Sequence, residues 1–145
     1  MKKIIIILFS IMSIYSANAQ KYSDQYIKEA SKVADNWFND INNNGYENAF
    51  LMLSSEVKAI YNQESWISLI NQLMLEFGEL ENRIVLEKKF NSKIEGLEDG
   101  FYVLIDYKSN YSNTINHNEY ILLKQNDKRK WEIVDYNYEF ENKIQ

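Results

Sequence analysis

The last third of the chain, from Asp99-Gly100 to Phe140, contains three runs in which apolar and polar residues alternate: Phe101 to Lys108, Glu119 to Lys124 and Trp131 to Phe140. Alternation with a period of two marks strands with one buried face, and the polar stretches between the runs suit consecutive antiparallel neighbours. A sheet of this kind must lay its apolar face against another layer. The part of the chain before it reads as the helices that supply that layer.

Tyr26, Ile27, Ala30, Val33, Ala34, Trp37, Phe38 and Ile41 recur at three- and four-residue steps, which predicts one long amphipathic helix. Ser23 or Asp24 can cap its start, and Asn42-Asn43-Asn44-Gly45 stops it, because these residues tolerate the left-handed backbone that ends helices. A second helix is expected over Tyr46 to Leu53, then a short turn with Val57, Ile60 and Tyr61 after Ser54-Ser55. Asn62 caps a further helix whose face is Trp66, Ile67, Ile70, Leu73, Met74 and Phe77, with Gly78 at its end.

From Leu80 to Phe90 the period changes to two, a first strand. Glu98-Asp99-Gly100 is a reversal signal, Asn110 to Asn118 reads as a polar loop or a ragged strand end, and Asn126 to Lys130 is the next turn. The sum is an α+β domain: N-terminal helices packed on a curved four-stranded antiparallel sheet. Neither sheet face is cleanly polar, since Tyr102, Leu104, Tyr120 and Leu122 alternate against the core set. Either a homodimer buries the back of the sheet, or tyrosines and lysine stems cover a solvated face.

The first residues have the three parts of a secretory signal peptide: Lys2 and Lys3, an apolar run from Ile4 to Tyr15, and Ala17-Asn18-Ala19. Residues 1–19 are therefore read as a signal peptide cleaved after Ala19, and 20–145 as one α+β domain exported to the periplasm or beyond the cell. With no cysteine there is neither a disulfide framework nor a lipid-bearing cysteine. Removing Lys2 and Lys3 from the 16 basic residues leaves 14 against 21 acidic ones, a net charge of about -7. Nucleic acid is excluded as a natural partner by that balance.

Several anchors together resemble a known family: Ala34-Asp35-Asn36-Trp37-Phe38, Gly45-Tyr46, Trp66, Gly78-x-Leu80-x-x-Arg83, Asp99-Gly100-x-Tyr102-Val103 and Lys130-Trp131-x-Ile133-x-x-Tyr136. Over Val33 to Tyr138 they resemble domain-of-unknown-function family 4019, small exported bacterial proteins. The resemblance implies a nuclear transport factor 2-like fold, in which helices close a conical sheet over a cavity, and it implies no particular activity. Asp135 departs from the small residue expected before the last strand's aromatic, which leaves that strand's register open.

The chemistry-bearing residues are few. His117, in Asn116-His117-Asn118, would be a general base at a cavity mouth or a solvated loop residue, and alone it cannot nucleate a zinc site. Asp106, inside an apolar strand, would be a proton-transfer base if a cavity raised its pKa; period-two counting instead turns it outward beside Lys108 or Lys124. Trp37, Tyr61, Trp66, Tyr107 and Trp131 would line a cavity for an apolar or ring-shaped ligand, or simply fill the core. Arg83 would clamp an anionic group or pair with a strand neighbour such as Glu87. No calcium loop, nucleophile elbow or phosphate loop is present, so neither metal nor cofactor is expected.

Three functions fit these residues. The first is a non-catalytic binding or accessory module of the cell envelope, holding a small apolar ligand or a partner protein. The second is a small cavity enzyme for proton transfer or hydration, with Asp106 or His117 as base. The third is a structural homodimer joined through the sheet face.

Overall fold

The computed structural model of the chain describes residues 2–143, with side-chain surroundings for residues 20–143. The expected leader, residues 1–19, lies outside the residues whose side chains are described. Among the described residues, helices α1 (Lys2–Asn42), α2 (Tyr46–Leu51), α3 (Ser55–Ile60) and α4 (Gln63–Phe77) precede strands β1 (Leu80–Asn91), β2 (Tyr102–Tyr111), β3 (Thr114–Gln125) and β4 (Trp131–Asn142). The strands form one curved antiparallel sheet in chain order, with the helices on its inner face. The fold is α+β.

On α1 the buried positions Ala30, Ala34, Trp37, Phe38 and Ile41 are the apolar stripe. The helix ends where the asparagine run begins: Asn44 adopts φ 62° and the Gly45 amide donates to Asp40 O at 2.7 Å. It does not start at Ser23 or Asp24. The backbone stays helical through both, and the Ser23 hydroxyl donates back to Gln20 O at 2.8 Å rather than capping. Ser54 and Asn62 do cap α3 and α4, accepting from the amides of Val57 at 3.3 Å and Ser65 at 2.8 Å. Leu53 leaves α2 and bridges to Ile133 on β4, with the Ser54 amide donating to Ile133 O at 2.8 Å.

Of the two readings of Asn110 to Asn118, loop or ragged strand end, the structure takes the strand. β2 runs on to Tyr111, two residues turn the chain, and β3 starts at Thr114. The alternation is obscured because Asn116, at φ 56°, marks an irregularity in the pairing with β4 between Ile115 and Asn118. Thr114 and His117, three residues apart, are consequently both buried. A second irregularity answers the register question at β4: Leu122 pairs with Asp135 but Leu123 with Ile133, so Val134 is extra and Tyr136 returns to the inner face. Phe101, expected in the core, is 40% exposed at the sheet margin, whereas Tyr102 is buried and donates to Glu98 O at 2.8 Å.

Candidate functional site

The inner face of the sheet carries a row of polar side chains across all four strands. β pairing sets Arg83 opposite Ser109 and Tyr107 opposite Glu119. Glu119 is 2% exposed and is surrounded by donors: Ser109 Oγ, Tyr111 OH at 3.0 Å, Tyr136 OH at 2.6 Å and Arg83 Nε at 3.3 Å. The Arg83 guanidinium also lies 3.7 Å from the centroid of the Phe38 ring, so α1 closes the row from above. Burial by itself pushes the Glu119 carboxyl upward. Arg83 and the hydrogen bonds from Ser109 and Tyr136 outweigh it, and the carboxyl is held below its usual range. Burial likewise opposes the charge on Arg83, but the Glu119 carboxylate prevails and strengthens it.

This row was not foreseen as a unit. Arg83 was expected to clamp an anionic group or to pair with a strand neighbour such as Glu87; its ion pair is with Glu119 across the sheet, while Glu87 pairs with Lys89 at 2.7 Å. Glu119, Ser109 and Tyr111 carry no role in the sequence reading, and Tyr136 appears there only as an anchor of the family resemblance. The signal was present in the period: counting back by two from Ile121 and Leu123 places Glu119 on the core face, where a carboxylate needs a cation and donors.

Beside the row, separated from it by Tyr136, a cleft of about 350 Å³, lined by aliphatic and aromatic side chains together with Asp135, opens between α3, α4 and β4. Its wall includes Trp37, Trp66 and Ile70 at depth and Ile60, Tyr61 and Leu69 toward solvent. Trp37 packs against Tyr136 at 5.0 Å and Trp66 at 6.5 Å between ring centroids, which fixes the inner wall. The outer wall is less firmly held, since α3 buries none of its residues. Tyr107 and Arg83 share the inner face with this wall but lie outside it; the Tyr107 hydroxyl is buried without a partner, and burial pushes its ionisation upward.

The candidate bases are elsewhere. His117 is not at a cavity mouth but fully buried on β3, stacked on Phe140 at 5.0 Å and edge-on to Phe77 at 4.4 Å. Its Nε2 meets Thr114 Oγ1, its Nδ1 has no partner, and burial lowers its pKa. Asp106 points to the outer face of the sheet, opposite Glu87 on β1 and Tyr120 on β3, and borders an outer groove rather than the cleft. Among the described residues no three His, Cys, Asp or Glu side chains are grouped to hold a metal ion. No described helix is long and apolar enough to cross a membrane.

A family model described as "Protein of unknown function (DUF4019)" matches residues 33–136, a stretch that includes Arg83, Glu119, Tyr136 and every lining residue of the cleft but Tyr138. None of the curated proteins compared with the chain matches it.

Proposed function

The chain belongs to the DUF4019 family, and on that premise we propose that it is a non-catalytic binding module of the cell envelope, holding a small apolar ligand in the cleft between α3, α4 and β4. The observation that carries this reading is the cleft wall itself. Trp37, Tyr61 and Trp66, singled out as ligand-binding candidates by composition, meet around one space of about 350 Å³, within the range of small-molecule pockets. A proton-transfer role has less support. Asp106 and His117 do not face the cleft, and the Glu119 carboxylate already accepts from Ser109, Tyr111, Tyr136 and Arg83.

Export rests on the pattern of residues 1–19. Mass spectrometry of the secreted or periplasmic protein should find Gln20 at its N-terminus, and an uncleaved chain held in the membrane would sink that part. The ligand reading is tested with N-phenyl-1-naphthylamine, a neutral fluorescent probe. Saturable enhancement at one site is expected, and it should be lost in Val57→Trp, which fills the cleft from a helix with no buried residue. No enhancement with the wild-type protein rejects the reading.

A second reading, a homodimer through the outer sheet face, is favoured by Ile84 and Leu86, each 56% exposed on β1. Light scattering that finds a monomer at high concentration removes it.

A further inference from the structure

β4 is an edge strand, and beside the cleft its backbone has no strand partner on the outer side. On β3 the Gln125 amide donates to Phe101 O at 2.9 Å, toward β2, and the Asn126 amide to Lys130 O at 2.8 Å, toward β4. Peptide groups alternate sides along a strand, so Ile121 and Glu119, in step with Gln125, bond toward β2. Their β4 neighbours Tyr136 and Tyr138 therefore turn N–H and C=O away from the sheet. Ile133 shows what such groups can hold: its amide donates to Met52 O at 2.9 Å and its carbonyl accepts from the Ser54 amide at 2.8 Å. At that one bridge the chain itself lies extended beside β4, before α3 leads it away. Beyond the bridge, among the described residues, no hydrogen bond reaches the Tyr136 amide or carbonyl, and the Tyr138 amide takes Asn137 Oδ1 at 2.7 Å.

Unpaired backbone at a sheet edge is a template for another strand. Here the edge borders the cleft: half-buried Tyr136 and Tyr138 line it, facing Val57 on α3 and Trp66 and Leu69 on α4. On the outer face Asp135, Asn137 and Glu139 alternate with them and are exposed. Among the described residues neither carboxylate pairs with a lysine or arginine. Opposed residues on neighbouring strands share a face, and opposite charges there attract. A strand added here would set apolar side chains beside Tyr136 and Tyr138, in the cleft, and basic ones beside Asp135 and Glu139. A second copy of the chain fits badly, because pairing β4 with itself about Asn137 sets Asp135 against Glu139. The other edge, β1, is interrupted at Glu81 and Leu86, whereas β4 pairs without a break from Asp135 to Glu139.

We propose that the free edge of β4 from Asp135 to Glu139 receives an extended peptide segment as a fifth strand, one in which apolar and basic residues alternate. The segment's backbone bonds to Tyr136 and to the Tyr138 carbonyl. Its apolar side chains enter the cleft, and its basic ones lie along Asp135 and Glu139. The proposal goes beyond the small-ligand reading above and shares only its cleft, so the two occupants exclude each other.

The test is fluorescence anisotropy with a labelled, acetylated heptapeptide in which lysine and valine alternate. Saturable binding is expected, with displacement of N-phenyl-1-naphthylamine and loss in Val57→Trp. Replacing the lysines by glutamate should weaken binding at least about tenfold. N-methylation of either the valine or the lysine amides should abolish it in one of the two versions, since one set faces β4. In the wild-type protein hydrogen exchange at the Tyr136 amide should slow when the peptide binds, a readout that charge attraction alone would not move. Unchanged exchange, equal binding of both N-methylated versions, or binding that survives Val57→Trp overturns the inference. A peptide that fails to bind where N-phenyl-1-naphthylamine binds also overturns it and leaves the small-ligand reading standing; if neither binds, both fall. Peptide binding without probe binding rejects the small-ligand reading alone.

Discussion

Tyr136 donates its hydroxyl to Glu119 Oε1 at 2.6 Å while its ring packs edge-on against Trp37 at 5.0 Å. One side chain thus joins the buried ion pair on the sheet to the wall of the cleft. Its burial and the adjacent carboxylate push its ionisation far upward, which keeps the hydroxyl a donor across the physiological range.

Tyr136→Phe should therefore lower stability by about 1.5–3 kcal/mol, the worth of a hydrogen bond to a buried charge, with the ring packing kept. Urea unfolding measures it. An unchanged midpoint would mean that Ser109, Tyr111 and Arg83 suffice for Glu119.

The Arg83–Glu119 pair makes a stronger prediction. Arg83→Met leaves a carboxylate uncompensated in the core and should cost about 3–5 kcal/mol, because the lost partner, rather than the lost attraction, dominates. Glu119→Gln strands the guanidinium in the same way. The double variant should be less damaged than the sum of the two, and strict additivity in a double-mutant cycle would show that the pair is not coupled.

Two buried groups contribute to the pH dependence. Burial holds the His117 pKa below its ordinary value of 6.5, so the unfolded chain takes up the proton first and stability falls as pH drops below 6.5 toward the folded value. Glu119, held below its ordinary 4.5, contributes stability that is complete above that value and is lost as pH falls through the lower folded one. Thermal melts from pH 7.5 to 5 should show a decline in the wild type that is flattened in His117→Gln. Parallel curves would assign the decline to other groups.

Gly78 ends α4 at φ 81° and ψ -160°, a region open almost only to glycine. A Cβ there would also run into Ser112 Oγ and come within 2.9 Å of the Asn113 side chain. Gly78→Ala should cost at least about 1–3 kcal/mol from the backbone alone, read as a lowered melting temperature. A melting temperature within error of the wild type would mean that the turn into β1 can rearrange.

Much of the architecture is legible along the chain. Helical spacing identifies the buried stripe of α1, with Ala30, Ala34, Trp37, Phe38 and Ile41, because side chains every three or four residues must share a face. Asn62 and Gly78 mark the ends of α4 by their own backbone preferences. Two failures in the strands have one cause, an inserted residue that resets the period. At Asn116 it concealed the start of β3 and made His117 look like a loop residue; at Val134 it left the register of β4 open.

Local pattern by itself determined the α+β class, most of the element boundaries and the aromatic character of the interior, since these follow from spacing and turn preference among neighbours in sequence. The tertiary structure decided which charges are sealed and which space stays open. Arg83 and Glu119 are 36 residues apart, and Trp37 and Tyr136 stand on the first and last elements in chain order. They meet only when the strands pair and α1 is laid across them, because burial and hydrogen bonding between distant residues are properties of the packed molecule rather than of any segment.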